Sequence, residues 1–339
     1  MKSGRMRKVG FVILFAVVAC FAGRGGLLVK AGTVENVRIW SEESVGDVEA
    51  GEQENSTTSQ LYAQAAVLMD AANGRVLLEK NGNEGLPMAS TTKIMTCILT
   101  LEQGSTDEMA AVSAYGAGQP KVHLGARKGE YYKIEDLLYS LMLESHNDAA
   151  VIIAEYYGTK WAGLSADIAS HSGEESKRAV LAFTEKMNGK AAELGCSDTF
   201  FVTPNGLDGT LTETEDGQET VREHSTTAQD LARIMCYCIA DSPAKGEFLK
   251  ITRTNAYAFP DYKPGEGGSG FVQGSHSVSC NNHNAFLGMM EGALSGKTGF
   301  TGKAGYCYVG ALRREEKTFV VALLACGWPN HKTWKWHDT

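Results

Sequence analysis

The sequence lacks the patterns by which proteins commonly bind metals or form a disulfide framework. None of its eight cysteines belongs to a C-x-x-C pair, and its eight histidines show no spacing typical of a metal site. Cys97, Cys307 and Cys326 lie in apolar stretches, where a free thiol behaves as a small hydrophobic group. We therefore expect buried free thiols, and the sequence implies neither a metal nor another cofactor.

Positive charge is scarce beyond the N-terminus. The chain has 32 Lys and Arg against 40 Asp and Glu, which gives a formal net charge of −8 at pH 7. Residues 1–31 contain six Lys or Arg and no acidic residue, so the remaining chain carries −14 (−8 minus 6). Proteins that bind nucleic acids neutralise phosphates with a basic surface. The composition therefore argues against nucleic acid as a partner.

The N-terminal region has no apolar run long enough to span a membrane comfortably. Its hydrophobic stretch covers only residues 9–22, and four Lys or Arg precede it within residues 2–8. A basic segment followed by a short apolar segment is typical of a secretory signal. We expect residues 1–31 to be a signal peptide that exports the protein, which would then act outside the cytoplasm at the cell wall or membrane.

The end of this signal has three interpretations. Small residues allow cleavage after Ala22 or after Ala31. Residues 17–20, Val-Val-Ala-Cys, loosely resemble a lipidation signal and would place a lipid on Cys20. An uncleaved signal would act as an anchor, so the sequence leaves N-terminal membrane association open.

An acidic linker is expected at residues 32–62. It holds seven Asp or Glu against one Arg, with Ser, Thr, Gly and Asn between them. A segment of this composition buries too little apolar surface to offset the entropy lost on ordering, so we expect it to be disordered. The folded domain is therefore predicted to span residues 63–339.

Apolar segments predict strands near both ends of the folded region. Two of them flank Asn73-Gly74, a dipeptide that favours a tight hairpin turn. Three more come at the end of the chain, and a charged tip joins the last two. The five predicted strands are residues 66–70, 75–79, 297–301, 304–313 and 318–326.

Helical spacing dominates the block between these strands. Apolar residues recur at every third or fourth position in residues 134–142, and residues 149–157 are predicted to form a second, apolar helix that ends at Gly158. The first and last strands must share one sheet if their apolar faces are to be covered. The prediction is an α+β fold, with an antiparallel sheet of about five strands flanked by helices, plus a helical lobe.

Ser90 and Lys93 stand at the start of a further predicted helix. Residues three apart share one helix face, so the amine of Lys93 can reach the hydroxyl of Ser90. Serine becomes nucleophilic beside a base, and lysine acts as a base only if burial or a second cation lowers its pKa. The two residues are candidates for nucleophile and base. Alone, the S-x-x-K pattern also fits a capped helix start with a surface lysine.

Two more polar clusters lie at predicted element boundaries. Ser145 and Asn147 fall in a tight break between two helices, where polar side chains serve as caps or as site residues. Lys297, Thr298 and Gly299 open the first of the three C-terminal strands. The order S-x-x-K, S-x-N, K-T-G matches a known set of catalytic motifs.

With these motifs the chain resembles the penicillin-interacting serine D-alanyl-D-alanine carboxypeptidases, which are low-molecular-mass penicillin-binding proteins of the serine β-lactamase/transpeptidase-like fold. The similarity covers about residues 64–330 and includes residues 201–207 and 224–232. It implies removal of the terminal D-alanine from peptidoglycan stem peptides that end in D-Ala-D-Ala. It also implies an acyl-enzyme and covalent inhibition by β-lactam antibiotics.

The resemblance implies four residues that act in acyl transfer. Ser90 would attack the carbonyl between the two D-alanines, and Lys93 would accept its proton. Ser145 would relay that proton toward the leaving amine. Asn147 would hold Lys93 and an amide of the substrate.

Four further residues would bind the substrate. Lys297 would supply the second cation and, with the Thr298 hydroxyl, would bind the terminal carboxylate. Gly299 would let the substrate backbone approach closely. The backbone N–H groups of Ser90 and Phe300 would form the oxyanion hole.

Two histidines carry separate expectations. His146 stands where the family usually has a small residue, and we expect its side chain to point into solvent. Otherwise it would crowd the cleft or charge it at acid pH. His224 opens a predicted helix and is expected to be structural rather than catalytic.

Two other functions compete with a carboxypeptidase. A class A β-lactamase needs a glutamate within E-x-x-L-N to activate the deacylating water, and the nearest match, Glu185-Lys186-Met187-Asn188, has the wrong spacing. A non-catalytic penicillin or cell-wall sensor would share the fold. Many family members continue into a small β-rich domain and a membrane anchor, and nothing up to Thr339 predicts either.

Overall fold

One antiparallel sheet unites the strands predicted at the two ends of the folded region. The structure is a computed structural model that describes Thr58 and residues 60–215, 218–268 and 270–339. The predicted signal peptide and most of the predicted linker lie outside the described residues. The described strands are β1 (Ala65–Asp70), β2 (Val76–Lys80), β3 (Met109–Ala111), β4 (Tyr131–Lys133), β5 (Thr210–Glu215), β6 (Gln218–Glu223), β7 (Ala256–Pro264), β8 (Phe271–Asn281), β9 (Ala293–Thr301), β10 (Gly305–Arg314) and β11 (Lys317–Leu324).

The main sheet has the order β2-β1-β11-β10-β9. Its first and last parts meet where β1 pairs with β11, from Ala65 opposite Leu324 to Asp70 opposite Phe319. All five predicted strands are present, and the α+β fold with a five-stranded antiparallel sheet is confirmed. Strand β9 lies at the edge of this sheet, so one of its sides is left for other groups to approach.

Helices cover the sheet and build the second lobe. A 3₁₀ turn, Ala89–Thr92, leads into the first of them. None of the described helices has the length and apolar composition needed to cross a membrane. They are α1 (Lys93–Leu101), α2 (Ala114–Ala117), α3 (Ile134–Leu143), α4 (Asn147–Trp161), α5 (Gly173–Glu193), α6 (Ala228–Cys236), α7 (Lys245–Arg253), α8 (Phe286–Met289) and α9 (Trp334–Asp338).

Both faces of the central strands β1, β10 and β11 are largely buried, which explains why these strands are mostly apolar. Side chains alternate between the two faces of a strand. Val67 and Met69 of β1 belong to the main core, whereas Ala66 belongs to a smaller core on the opposite face. Phe286 of α8 and Trp334 of α9 close that smaller core. The sheet is therefore a middle layer between helices.

Helix α1 forms the centre of the helical lobe. Every one of its residues is buried, including its first residue, Lys93. It packs against α3, α4 and α5, whose apolar faces the sequence periodicity predicted in part. A lysine at the start of such a helix loses its hydration, and the charged form of an amine is disfavoured without water.

The block between the two ends of the sheet contains strands that were not predicted. A second sheet has the order β3-β4-β7-β8, and β5 pairs with β6. Strands β3 and β4 have three residues each, too few to show a period. Strand β8 buries only Val278 and Cys280 fully. Its pattern therefore lacked the apolar alternation by which strands are recognised.

The described cysteines agree with the prediction of free thiols. All seven are buried and none forms a disulfide. Burial raises the pKa of each of these thiols. The eighth, Cys20, lies outside the described residues.

The expected helix end at Gly158 is wrong. Helix α4 continues to Trp161, and Gly158 lies within it, against the backbone of α5. A Cβ atom at this position would overlap the carbonyl oxygen of Ala179. The glycine is present because two helices cross closely there, and a sequence signal for helix termination cannot distinguish these two uses.

Gly158→Ala is expected to lower the free energy of unfolding by about 3 kcal/mol, because the new methyl group forces the two helices apart. Urea denaturation followed by circular dichroism measures this change. Gly189→Ala is the matched control, since Gly189 lies within α5 and a Cβ there meets nothing within 4 Å. That variant should gain up to about 1 kcal/mol from helix propensity. Equal effects in the two variants would contradict close packing at residue 158.

Candidate active site

The turn that carries Ser90 is enclosed by backbone on two sides. Ala89, the residue before it, has a φ of +48°, an unusual value for a residue other than glycine. A Cβ atom on Gly299 of β9 would lie 2.9 Å from the backbone nitrogen of Ser90. On another side, a Cβ on Gly206 would overlap the carbonyl group of Ala89. The surrounding backbone therefore sets the position of the Ser90 hydroxyl.

Lys93 contacts Ser90 as their spacing predicted. Its Nζ lies 2.8 Å from Ser90 Oγ and 2.9 Å from Asn147 Oδ1, and it also donates to the carbonyl of Asn205. Neither carbonyl oxygen can donate a hydrogen bond. When Lys93 is neutral, its two N–H groups are used by these oxygens, and its lone pair is left facing the Ser90 hydroxyl.

The pKa of Lys93 is held well below its ordinary value. Burial is the main cause, and the positive charge of Lys297 lowers the pKa further. Asp148 acts in the opposite direction and raises the pKa of Lys93. The second cation that the sequence argument required is therefore close enough to act. The two lysines come from α1 in the helical lobe and from β9 at the edge of the main sheet.

Ser145 lies beside the second lysine, Lys297. It lies in the predicted break between α3 and α4, with a φ of +65°. Lys297 Nζ donates to Ser145 Oγ at 2.9 Å and to the carbonyl of Thr298 at 2.8 Å. Burial lowers the pKa of Lys297 to about 7. Near neutral pH this lysine is thus poised between its charged and neutral forms.

Strand β9 supplies the remaining predicted residues. Thr298, Gly299 and Phe300 lie opposite Tyr308, Cys307 and Tyr306 of β10. Gly299 faces the Ser90 turn, whereas the Phe300 ring is 46% exposed and stacks on Tyr306. Of Phe300, only the backbone is therefore on the side of Ser90. The predicted residues thus form two hydrogen-bonded groups, Ser90 with Lys93 and Asn147, and Lys297 with Ser145 and Thr298. Gly299 lies against the turn that carries Ser90.

The sequence of this chain matches one family across most of its length. A family model described as D-alanyl-D-alanine carboxypeptidase, peptidase family S11, matches residues 51–163 and 166–325. The chain belongs to the S11 D-alanyl-D-alanine carboxypeptidase family. The resemblance inferred from the three motifs is thereby confirmed.

Curated D-alanyl-D-alanine carboxypeptidases are similar to this chain over most of its residues. D-alanyl-D-alanine carboxypeptidase DacF of Bacillus subtilis is 28% identical over 288 residues, which cover 83% of this chain and 62% of that protein. D-alanyl-D-alanine carboxypeptidase DacB2 of Mycobacterium tuberculosis is 28% identical over 262 residues, or 77% of this chain and 74% of that protein. The chain therefore spans less than two thirds of the length of the Bacillus relative.

A solved structure shares the fold of this chain. The DD-transpeptidase of a Streptomyces strain is 25% identical, with a TM-score of 0.64, and the match covers 82% of this chain and 96% of that chain. The β-lactamase/transpeptidase-like fold expected from the sequence is therefore confirmed.

The carbonyl of Asn205 belongs to this candidate site but was not predicted from the sequence. The stretch 201–207 was noted as similar to the family, but no role was assigned within it. A backbone carbonyl has no residue-type signature, so only the folded chain reveals that it accepts a hydrogen bond from Lys93. Gly206, directly after it, was the available signal, because its lack of a side chain lets this segment reach the Ser90 turn.

The expectation that His146 points into solvent is wrong. Its side chain is buried, and its Nδ1 lies 2.8 Å from Ser140 Oγ of α3. Burial also lowers the pKa of His146, so the ring stays neutral at lower pH than an exposed histidine. The side chain therefore packs against α3, and the charging of the cleft considered at acid pH is opposed by this burial.

His224 is buried, in agreement with a structural role. Its Nδ1 accepts from the backbone N–H groups of Val202 and Thr203, and its Nε2 lies 2.8 Å from Thr92 Oγ1. Burial lowers its pKa to about 3. A neutral ring that accepts at Nδ1 carries its proton on Nε2. His224 thus ties the segment before Asn205 to the Ser90 turn.

Proposed function

We propose that this protein is a serine D-alanyl-D-alanine carboxypeptidase. Its substrate would be a peptidoglycan stem peptide that ends in D-Ala-D-Ala, and penicillin would acylate the same serine. The observation that carries the proposal is the contact of Lys93 Nζ with Ser90 Oγ at 2.8 Å, with the amine buried beside a second lysine. This is the arrangement in which a lysine acts as a general base.

Acylation begins with proton transfer from Ser90 to neutral Lys93. Ser90 Oγ attacks the carbonyl between the two D-alanines, and the negative oxygen is bound by the N–H groups of Ser90 and Phe300. Lys93 then passes a proton through Ser145 to the leaving nitrogen. D-Alanine departs as the C–N bond breaks, and the rest of the peptide stays as an ester on Ser90. Asn147 holds Lys93 in place throughout.

Residues of strand β9 would bind the terminal carboxylate of the substrate. Lys297 in its charged form and the Thr298 hydroxyl would bind the terminal carboxylate by charge-assisted hydrogen bonds. Gly299 leaves room for the peptide backbone beside the strand. Lys297 also donates a hydrogen bond to Ser145, the residue that would pass the proton to the leaving amine. Carboxylate binding and protonation of the leaving group would therefore be linked. Water then hydrolyses the ester, with Lys93 as its base.

The proposed domain assignment follows the sequence. Residues 1–31 would be the signal peptide, 32–62 the acidic linker and 63–339 the catalytic domain. A substrate found in the cell wall requires export, which agrees with the basic and short apolar segments at the N-terminus. Mass spectrometry of the N-terminus of the exported protein tests the site of cleavage and any lipid on Cys20.

A single pair of measurements tests the proposed activity. One follows free D-alanine released from diacetyl-Lys-D-Ala-D-Ala, and the other follows the lifetime of the penicilloyl adduct by intact mass. A carboxypeptidase releases D-alanine and keeps the adduct for long. Rapid turnover of penicillin would instead indicate a β-lactamase, and an adduct without D-alanine release would indicate a sensor. Glu185, the residue considered for a β-lactamase, lies on α5 with an exposed side chain.

Lys297→Ala is expected to lower kcat/KM for peptides with a free terminal carboxylate by about 100-fold, the effect of removing a charge-assisted contact worth roughly 3 kcal/mol. A carboxyl-amidated peptide should lose much less, because it has no anion for Lys297 to bind. Steady-state kinetics on the two peptides measures the difference. Equal losses would contradict carboxylate binding by Lys297.

The pH dependence of carboxylate binding follows from the same lysine. With a pKa of about 7 in the free protein, Lys297 is charged below that pH and neutral above it. For the carboxylate peptide, kcat/KM should therefore fall as pH rises through about 7. Lys297→Arg keeps its charge at all these pH values, so this alkaline decline should disappear in that variant. An unchanged decline would assign it to another group.

A further inference from the structure

A loop beside the site is held by two consecutive residues of α4. Residues 120–126 lie between α2 and β4. The side-chain amide of Asn147 donates to the Pro120 carbonyl at 3.2 Å, and its backbone N–H donates to the Val122 carbonyl at 2.7 Å. The other hydrogen bonds of this loop all go to Asp148. Within the described part of the chain, residues 120–126 have no further hydrogen-bond partner.

Asp148 receives the N–H groups of three successive loop residues. Oδ1 accepts from Leu124 at 2.9 Å, and Oδ2 accepts from Gly125 at 3.0 Å and Ala126 at 3.2 Å. Oδ1 also accepts from the N–H of Ala149 in its own helix. Successive N–H groups that converge in this way form an anion-binding concavity. Asp148 is 1% exposed and forms no ion pair within the described residues.

The same loop determines the orientation of Asn147. The Pro120 carbonyl can only accept, so it selects the NH₂ end of the Asn147 amide. The amide oxygen is thereby turned toward Lys93, where it accepts at 2.9 Å. If the loop moved away, either end of the amide could face Lys93. Correct presentation of Asn147 therefore depends on a loop that Asp148 holds.

Asp148 also places a buried negative charge close enough to act on Lys93. It raises the pKa of Lys93, whereas Lys297 lowers it. Two histidines also face Lys93, His146 at the start of α4 and His224 before α6. Burial lowers the pKa of both, and His224 falls to about 3, so these rings add little charge near neutral pH. The charges of Asp148 and Lys297 thus shift the pKa of Lys93 in opposite directions.

We infer that Asp148 is a positioning residue of this site, whose carboxylate fastens loop 120–126 so that Asn147 keeps its amide oxygen on Lys93. The consequence for acylation rests on the proposed function. The hydrogen bonds between Asp148 and the loop are independent of the proposed function. Asn147 contacts the reacting groups directly, and the next residue in the chain holds the loop that orients it.

Asp148→Asn tests this inference, because it keeps the size of the side chain but places an NH₂ group against N–H donors. We expect acylation by a fluorescent penicillin to slow about 10- to 100-fold, the effect of a small misplacement of catalytic groups. The acylation rate should fall at acid pH as Lys93 becomes protonated, which gives the pH profile an acid limb. Removal of the negative charge at residue 148 lowers the pKa of Lys93, so this acid limb should move to lower pH. Without any ligand, the amides of residues 124–126 should exchange hydrogen faster.

Two further variants separate the loop from the charge. Gly125→Ala strains the loop, since Gly125 has a φ of +86°, but its Cβ meets nothing within 4 Å and no buried group is lost. We expect slower acylation with an unmoved acid limb. Glu130→Gln is the matched control, because Glu130 is a buried carboxylate that accepts from Arg127 N–H at 2.8 Å, just beyond the loop. Its acid limb should also stay in place.

The outcomes distinguish the inference from the proposed function. Faster exchange at residues 124–126 in Asp148→Asn, with unchanged acylation, would reduce Asp148 to a purely structural role and overturn the inference. Unchanged exchange would overturn it as well. Should Asp148→Asn fail to fold, Gly125→Ala decides, and wild-type acylation in that variant overturns the inference. If the wild-type protein itself forms no penicilloyl adduct, the proposed function fails, and exchange still tests the fastening.

Discussion

Ser90→Ala is expected to abolish both penicillin labelling and D-alanine release. Loss of the nucleophile in a serine peptidase lowers kcat by about a million-fold, so no residual turnover should be measurable. The physical reason is that Ser90 supplies the one hydroxyl among the described residues that contacts Lys93 Nζ, at 2.8 Å. Intact mass after incubation with penicillin, together with the D-alanine assay, gives the result.

The fold should survive this substitution. Among the described residues, the Ser90 hydroxyl contacts Lys93 and makes one further, long contact of 3.5 Å to the carbonyl of Asn205. The melting temperature should therefore stay close to that of the wild type. Ser145→Ala is a useful comparison, since a proton relay leaves residual acylation when removed. A penicilloyl adduct in folded Ser90→Ala would show that another residue is the nucleophile.

Lys93→Met is expected to slow acylation by about 10⁴-fold, the upper range for the loss of a general base. Methionine keeps an unbranched side chain of similar length but has no nitrogen to accept the Ser90 proton. Lys93→Arg should fail as well, because arginine keeps its charge at every working pH and cannot act as a base. Stopped-flow acylation by a chromogenic β-lactam measures both rates. Activity in Lys93→Arg comparable to the wild type would contradict proton transfer to residue 93.

The role of Lys93 as a base also predicts how the activity changes with pH. Lys93 must be neutral to accept a proton, so kcat/KM should fall as pH drops below its lowered pKa. In Lys297→Ala, the cation that lowers the pKa of Lys93 is gone, and the acid limb should move to higher pH. A carboxyl-amidated peptide isolates this limb from carboxylate binding. Movement to lower pH would mean that Lys297 does not act on Lys93 as a neighbouring cation.

Much of the fold could be predicted because the informative signals were local. The turn at Asn73-Gly74 and the apolar segments around it correspond to β1 and β2, and the charged tip near the C-terminus corresponds to the turn between β10 and β11. The strands of the second sheet were missed, because β3 and β4 are short and β8 is mostly exposed. Gly158 was misinterpreted since a glycine has the same letter whether it ends a helix or lets two helices touch.

The contacts of the candidate site could likewise be predicted only where they are local in the sequence. The three-residue spacing places Ser90 and Lys93 on one face, and this pair could be found without a structure. Nothing local indicated that a carbonyl of Asn205 would reach Lys93 or that Asp148 would hold a separate loop. These contacts join segments distant in sequence, and they involve backbone groups that every residue type carries.

By itself, the sequence of this protein determined which chemical groups are available and which of them lie one helical turn apart. The tertiary structure alone decided the protonation chemistry. Burial and the approach of Lys297 lower the pKa of Lys93, and both depend on how α1 packs against the rest of the chain. Charge and hydration act through space between segments that are distant in the sequence. The sequence therefore identifies the lysines but does not set their pKa.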